Sequence, residues 1–183
     1  MKLKEYLKKL IPTLHGNLIV IGLEDSEVND MILHSTTLNQ CYFLDSNIKE
    51  KKEKKKKKSY QLGKNKNIPL KKFRKTFKKK KTDAIICNLK DMEQYLNRFV
   101  KDSVYICKGK LYYYGSKRRI QNSNLKERYQ RYQVSFEEVE LENSYVFIID
   151  LSKAKTRWYK EWWYIITDSL CRAADIIGDF LVN

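Results

Sequence analysis

The side chains placed for chemistry in this sequence stand just after short apolar runs. Asn88 and Asp91 follow Ala84–Cys87. A carboxamide and a carboxylate there can line a pocket where an open α/β sheet presents its strand ends. They can equally cap the helix that follows. Asp45 closes Cys41–Leu44, where an acid is also an ordinary cap or turn former. Gly22 closes Leu18–Ile21, and a residue without Cβ lets backbone approach a ligand closely. His15 and His34 have no recognisable partner motif, and no Ser/His/Asp pattern, P-loop or HExxH occurs, which leaves nucleophilic and metal-hydrolytic chemistry without support. The four cysteines, Cys41, Cys87, Cys107 and Cys171, lie far from one another and from both histidines. That spacing excludes a CxxC-type metal site. They read as reduced, buried thiols of a cytoplasmic protein.

The other chemically marked feature is electrostatic. From Lys49 to Lys81 there are 18 Lys/Arg against Glu50 and Glu53, a balance of +16, which equals the net charge of the whole chain. The remaining 150 residues are neutral. A balanced body with one cationic insert implies one contact zone, not a polycationic coat. Its candidate polyanion contacts are Lys54, Lys56, Lys58, Lys71, Lys72, Arg74, Lys75 and Lys78. Three readings stand side by side: a solvated loop, a contact for RNA or DNA phosphates, and a contact for anionic lipid. Lysine dominates over arginine, which favours a diffuse field over base reading.

The positions of these residues depend on the elements around them. Leu3, Leu7 and Leu10 share a helix face that Pro12 ends. Leu18–Ile21, Cys41–Leu44 and Asp83–Leu89 read as buried strands. Residues 26–38 form a helix capped by Ser26. A basic amphipathic helix is expected over Pro69–Lys81, with Leu70, Phe73 and Phe77 on one face. Asp91 caps a helix through Val100, Ser103–Cys107 is a further strand, Lys108-Gly109-Lys110 a turn, and Leu111–Tyr114 a short added strand. Residues 117–132 are helical, and 134–151 form a β-hairpin. The expected fold is one α/β domain over residues 1–183, a Rossmann-like three-layer sandwich, mostly parallel with a late antiparallel hairpin. A C-terminal amphipathic helix at about 156–181 carries Trp158, Trp162 and Trp163. It either packs on the sheet or offers a homo-oligomer contact. No apolar run reaches membrane-spanning length, and Met1–Leu14 lacks a signal core.

This order of elements resembles a class I S-adenosylmethionine (SAM)-dependent methyltransferase. Leu18-Ile19-Val20-Ile21-Gly22 looks like the family's first strand and the start of its Gly-rich turn. Phe43-Leu44-Asp45 looks like the second strand, whose terminal acid holds ribose hydroxyls in the family. Asp83-Ala84-Ile85-Ile86-Cys87-Asn88 looks like the fourth, which ends beside the methyl-transfer site. The resemblance covers residues 16–151. It implies SAM as cofactor, a cleft formed by Gly22, Glu24, Asp45 and Asn88, and a basic segment at its rim recruiting a polyanion. The implied activity is that of a divergent methyltransferase, weakly active or a pseudoenzyme. Its alternatives are a non-catalytic nucleic-acid-binding module and a peripheral membrane or assembly protein. Leu23-Glu24-Asp25 follow the lone Gly22 and are expected to crowd the methionine part of the cofactor; the third strand has no clear candidate, because the lysine run occupies its place. A nucleic-acid role predicts affinity that falls steeply with salt and disappears when the lysines of 49–81 are neutralised. Electrophoretic mobility shifts at two ionic strengths measure it, and salt-independent binding would count against it.

Overall fold

The computed structural model describes residues 1–45, 65–69, 73, 77 and 81–154. They form a seven-stranded sheet flanked by helices on both faces. In chain order the elements are α1 (Leu3–Leu10), a 3-10 turn at Ile11–Thr13, β1 (Gly16–Ile21), α2 (Ser26–His34), β2 (Leu38–Asp45) and β3 (Asn65–Pro69). Then come β4 (Thr82–Asn88), α3 (Leu89–Met92), a 3-10 turn at Glu93–Tyr95 and α4 (Leu96–Ile106). The last are β5 (Cys107–Gly115), α5 (Lys117–Asn122), α6 (Leu125–Gln130), β6 (Ser135–Glu140) and β7 (Tyr145–Asp150). The sheet order is β3-β2-β1-β4-β5-β7-β6. The first five strands pair in parallel, while β7 runs antiparallel to both β5 and β6. The expected C-terminal helix at 156–181 and Cys171 lie outside the described residues.

Alternation along β1 shows why the sheet has two covered faces. Ile19 and Ile21 enter one core layer with Ile85, Cys87, Leu111 and Tyr113, beneath α3, α4 and α6. Leu18 and Val20 enter the other with Ala84, Ile86, Tyr112 and Ile148, against Leu7 and Ile11 of the N-terminal segment and Val28 and Ile32 of α2. All four β1 side chains are essentially inaccessible, so the strand reads as an unbroken apolar run, not an alternating one. Lys4 and Lys8 of α1 pair with Glu27 of α2 at the surface, where ion pairs contribute little. Asp25, not Ser26, caps α2, accepting from the Val28 N–H at 3.0 Å.

Three expectations need correction. Ser103–Ile106 is the last turn of α4, not a strand, and β5 begins at Cys107. Val104, Tyr105 and Ile106 favour strands by type, but Leu96, Phe99, Val100, Ser103 and Val104 are buried at helical spacing, and packing overrides propensity. Lys108-Gly109-Lys110 is strand, not a turn. The β4–β5 register slips between Thr82↔Cys107 and Ala84↔Lys110, so β5 spends an extra residue there, as at a bulge. A methyl on Gly109 would lie 2.0 Å from the Asp83 carbonyl oxygen, which explains the glycine. Finally, the lysine-rich segment does hold the third strand. Asn65–Pro69 pairs in parallel with Cys41–Asp45, and Pro69 ends that strand instead of starting a helix. A strand at the sheet's edge tolerates this polar, proline-terminated sequence. Of the proposed basic helix, Phe73 and Phe77 are described. Both are buried, and the Phe77 N–H donates to the Phe73 carbonyl at 3.1 Å, one helical turn.

The layer under α4 and α6 contains a run of aromatic contacts. Tyr42, Phe77, Phe73, Phe99, Tyr113, Tyr129 and Tyr132 follow one another with ring centroids 4.9–6.4 Å apart. Two hydroxyls in it are fully buried. The Tyr129 hydroxyl bonds both Ser103 Oγ (2.7 Å) and the Tyr113 hydroxyl (2.9 Å), and Ser103 donates onward to the Val100 carbonyl. Each polar group of that chain is thus satisfied without water.

Two variants check this account. Gly109→Ala forces the new methyl against the Asp83 backbone and is expected to lower stability by about 1–3 kcal/mol, the usual range for overpacking. Tyr129→Phe strands the buried Tyr113 hydroxyl, while Ser103 keeps its bond to the Val100 carbonyl, and is expected to cost about 1–3 kcal/mol. Urea denaturation measures both; a Tyr129→Phe protein as stable as the parent would refute the hydroxyl chain's role.

Candidate functional site

Register assembles the site. Ile21 of β1 pairs with Leu44 of β2 and with Cys87 of β4. The next residue on each, Gly22, Asp45 and Asn88, therefore stands in one row at the carboxyl ends of three adjacent strands. Asn88 in turn pairs with Tyr114 of β5. The chain builds outward from β1 to β2 and β3, then returns to β1's other side with β4. Neighbouring connections leave to opposite faces at such a switch point, which is where open α/β sheets take their ligands.

The turn after β1 is held shut from several sides. The Gly22 N–H donates to the Leu44 carbonyl at 3.3 Å. The Gly22 carbonyl accepts from Asn88 Nδ2 at 3.2 Å and from the Tyr114 hydroxyl at 2.9 Å. Asn29 Nδ2 of α2 donates to the Leu23 carbonyl at 3.0 Å. Gly22 has φ +67°, in the left-handed region, and a methyl there would come within 1.8 Å of Asp91 Oδ2. Glycine is required on both counts. Asn88 has a second task as the cap of α3, its Oδ1 accepting from the Lys90 N–H. Asp91 therefore lies within α3 and not at its cap.

The side chains expected to crowd the turn do not do so. Leu23 turns into the core layer shared with α1 and α2, and Glu24 is exposed. The side chain lying on Gly22 is Asp91, brought back by the short α3. A carboxylate there repels an incoming anion and attracts a cation or a hydroxyl donor. Asn29 Oδ1, beside the same turn, is buried with no hydrogen-bond partner among the described residues. A buried acceptor in that state calls for a donor.

The site's electrostatics follow from burial. Burial, reinforced by Cys87, Asp91 and Glu24, holds the Tyr114 hydroxyl protonated well above the usual tyrosine range. Burial and the Asp91 charge push the Cys87 thiol up likewise. That thiol is a neutral packing group, not a nucleophile.

The structure thus brings Gly22 and Asn88 into direct contact, sets Asp45 at the end of the adjoining strand, and leaves Glu24 at the turn's exposed edge, within electrostatic reach of Tyr114. Sequence reasoning passed over Tyr114. Its position one strand further along, at the end of the apolar run Leu111–Tyr114, is the available signal. Lys54, Lys56, Lys58, Lys71, Lys72, Arg74, Lys75 and Lys78 lie outside the described residues. Among the described residues no cluster of His, Cys, Asp and Glu could hold a metal ion, and no helix is long and apolar enough to cross a membrane.

No sequence family and no curated protein matches this chain. Solved structures do. The chain is similar to the methyltransferase domain of bacterial CtHen1-C, at 11% identity over 80% of this chain and 97% of that one, with a TM-score of 0.59. It is similar to precorrin 8w decarboxylase from Methanobacterium thermoautotrophicum, at 8% identity over 82% and 90% of the two chains, TM-score 0.56. It is also similar to a putative methyltransferase solved in complex with the Trm112 activator of Haloferax volcanii, at 7% identity over 81% and 88%, TM-score 0.54. At such identities the likeness shows the fold alone, and that fold is the class I SAM-dependent methyltransferase-like one.

Two measurements test the site's construction. Tyr114→Phe removes one of two donors to the Gly22 carbonyl and is expected to lower stability by about 0.5–1.5 kcal/mol. Burial also pushes Tyr112 up to about 12. Both tyrosines titrate above the unfolded value of 10.0. Their contribution is therefore complete below that value and is lost as pH rises from there through about 12. An alkaline titration should show tyrosinate absorbance from Tyr114 rising only together with unfolding; early ionisation of a folded Tyr114 would contradict its burial.

Proposed function

From that fold, we propose that this chain binds S-adenosylmethionine in the crevice at the ends of β1, β2 and β4, and acts as a divergent methyltransferase. The observation that carries the proposal is the row of Gly22, Asp45 and Asn88 at the switch point. The surrounding acceptors suit that cofactor. Asp91 faces Gly22 with a carboxylate suited to an ammonium group, and Asn29 Oδ1 awaits a donor. Asp45, closing β2, is the residue to receive ribose hydroxyls, and Glu24 stands at the rim. When bound, SAM supplies a methyl group made electrophilic by its sulfonium. The chain's own contribution is orientation: Asn88 and Tyr114 fix the Gly22 carbonyl, and with it the turn on which the Asp91 carboxylate lies.

The lysine segment adds a second element. Strand β2 delivers the chain to the crevice edge at Asp45, and the run of lysines begins within a few residues of it. This supports a polyanion contact, RNA or DNA, beside the cofactor crevice through Lys54, Lys56, Lys58 and their partners.

Calorimetric titration with SAM and with its demethylated product tests the cofactor site. Saturable heat is expected, with Asp45→Ala weakening binding at least about ten-fold, as for loss of a hydrogen-bonded charge. No heat and no thermal shift at millimolar ligand would sink the cofactor reading.

A further inference from the structure

We propose a second ligand site, for a phosphate monoester, in the arginine-lined cleft between the Glu93–Leu96 turn and the α5–α6 pair. The cleft measures about 400 Å³, and its lining includes Glu93, Leu96, Ser116, Arg118, Arg119 and Arg128. That volume lies within the range of small-molecule sites. A smaller hollow of about 180 Å³ shares Arg128 and adds Arg131. Three guanidinium groups against one carboxylate give the main cleft a net charge of +2. Leu96 is its sole apolar lining residue, so an apolar ligand finds little surface there.

Two of the three arginines, Arg119 and Arg128, are set in place by hydrogen bonds. Arg119 spends its Nε on Glu93 Oε1, which leaves the two-pronged Nη end uncommitted. Arg128 donates from Nε to the Ser123 carbonyl at 2.7 Å and from Nη1 to Asn97, so its plane is fixed by two elements. Arg118 has no hydrogen-bond or ion-pair partner among the described residues. Anchoring through Nε leaves both Nη groups of Arg119 and the Nη2 of Arg128 for a ligand, and an uncommitted guanidinium fork matches phosphate oxygens two at a time. A dianionic phosphate balances the cleft's charge. A cleft of about 400 Å³ holds a phosphate and leaves room for the organic group it is attached to.

The site stands beside the crevice but does not depend on the cofactor. Glu93 follows α3, which starts at the end of β4, and Ser116 follows the end of β5, so the cleft opens at the same edge of the sheet, one strand along. It can therefore be tested with no SAM present. The test uses the full chain and two probes, inorganic phosphate and ribose 5-phosphate, followed by nitrogen–proton correlation spectra. Saturable shifts are expected at the amides of Ser116–Arg119 and Ser123. Arg119→Gln and Arg128→Gln should each weaken binding about ten-fold, the size of one charge-assisted hydrogen bond. Glu93→Gln should tighten it about two- to five-fold by removing the competing carboxylate. Lys2→Gln, on α1's side of the sheet, should change nothing. Tighter binding of ribose 5-phosphate than of inorganic phosphate marks an organic ligand; equal binding marks a free-phosphate site. Shifts confined to residues 49–81, or binding indifferent to all three cleft variants, would overturn the proposal.

Discussion

Leu18–Ile21 lie in parallel register against Ala84–Cys87, although two strands of the chain intervene between them. This pairing is the constraint from which the rest follows. It places β1 in the middle of the sheet, so both its faces must be apolar. It also makes the sheet's growth reverse at β1, and such a reversal is where open α/β sheets take ligands at their strand ends. The register then sets Gly22, Asp45, Asn88 and, one strand on, Tyr114 in one row at those ends. Slipping the pairing by one residue would exchange the two core layers and separate Gly22 from its donors.

The legible parts of the sequence were those where local pattern and tertiary environment agree. Leu18–Ile21, Cys41–Leu44 and Ala84–Cys87 are apolar because they are covered on both sides, and no other element type suits runs so short. The hairpin around Glu142–Ser144 declared itself by alternation and a polar turn. The illegible parts were those where environment overrode type. Ser103–Ile106 has strand-like residues but completes a helix because its apolar positions continue the α4 stripe. Gly109 resembles a turn but permits close passage of β5 over Asp83. Asn65–Pro69 looks like solvated linker yet pairs with β2, because an edge strand needs backbone bonds on one side only. At the site, Gly22, Asp45 and Asn88 were readable as strand-terminal residues. Asp91's approach to Gly22 was not, since it depends on α3 being only one turn long and folding back at the 3-10 turn.

Charge is divided with unusual clarity. The body of 150 residues is neutral overall, and the excess of +16 belongs to one segment. Lysine supplies that excess, giving long-range attraction with little geometric demand. The arginines of the 93–128 cleft are a different resource. They are few, and two of them are anchored, Arg119 by Glu93 and Arg128 by Asn97 and the Ser123 carbonyl. Lysine and arginine are thus concentrated in different places.

The seven-ring aromatic run has an optical consequence. Its members touch in sequence from β2 through the 73–77 turn and α4 to α6, and the three tryptophans of the chain lie elsewhere in the sequence, at 158–163. Fixed, asymmetric ring neighbours give near-ultraviolet dichroism, which vanishes when packing loosens even if backbone structure persists. Loosening of one face of this sheet therefore carries its own spectroscopic signature, distinct from melting of the α1–α2 side, where rings are few.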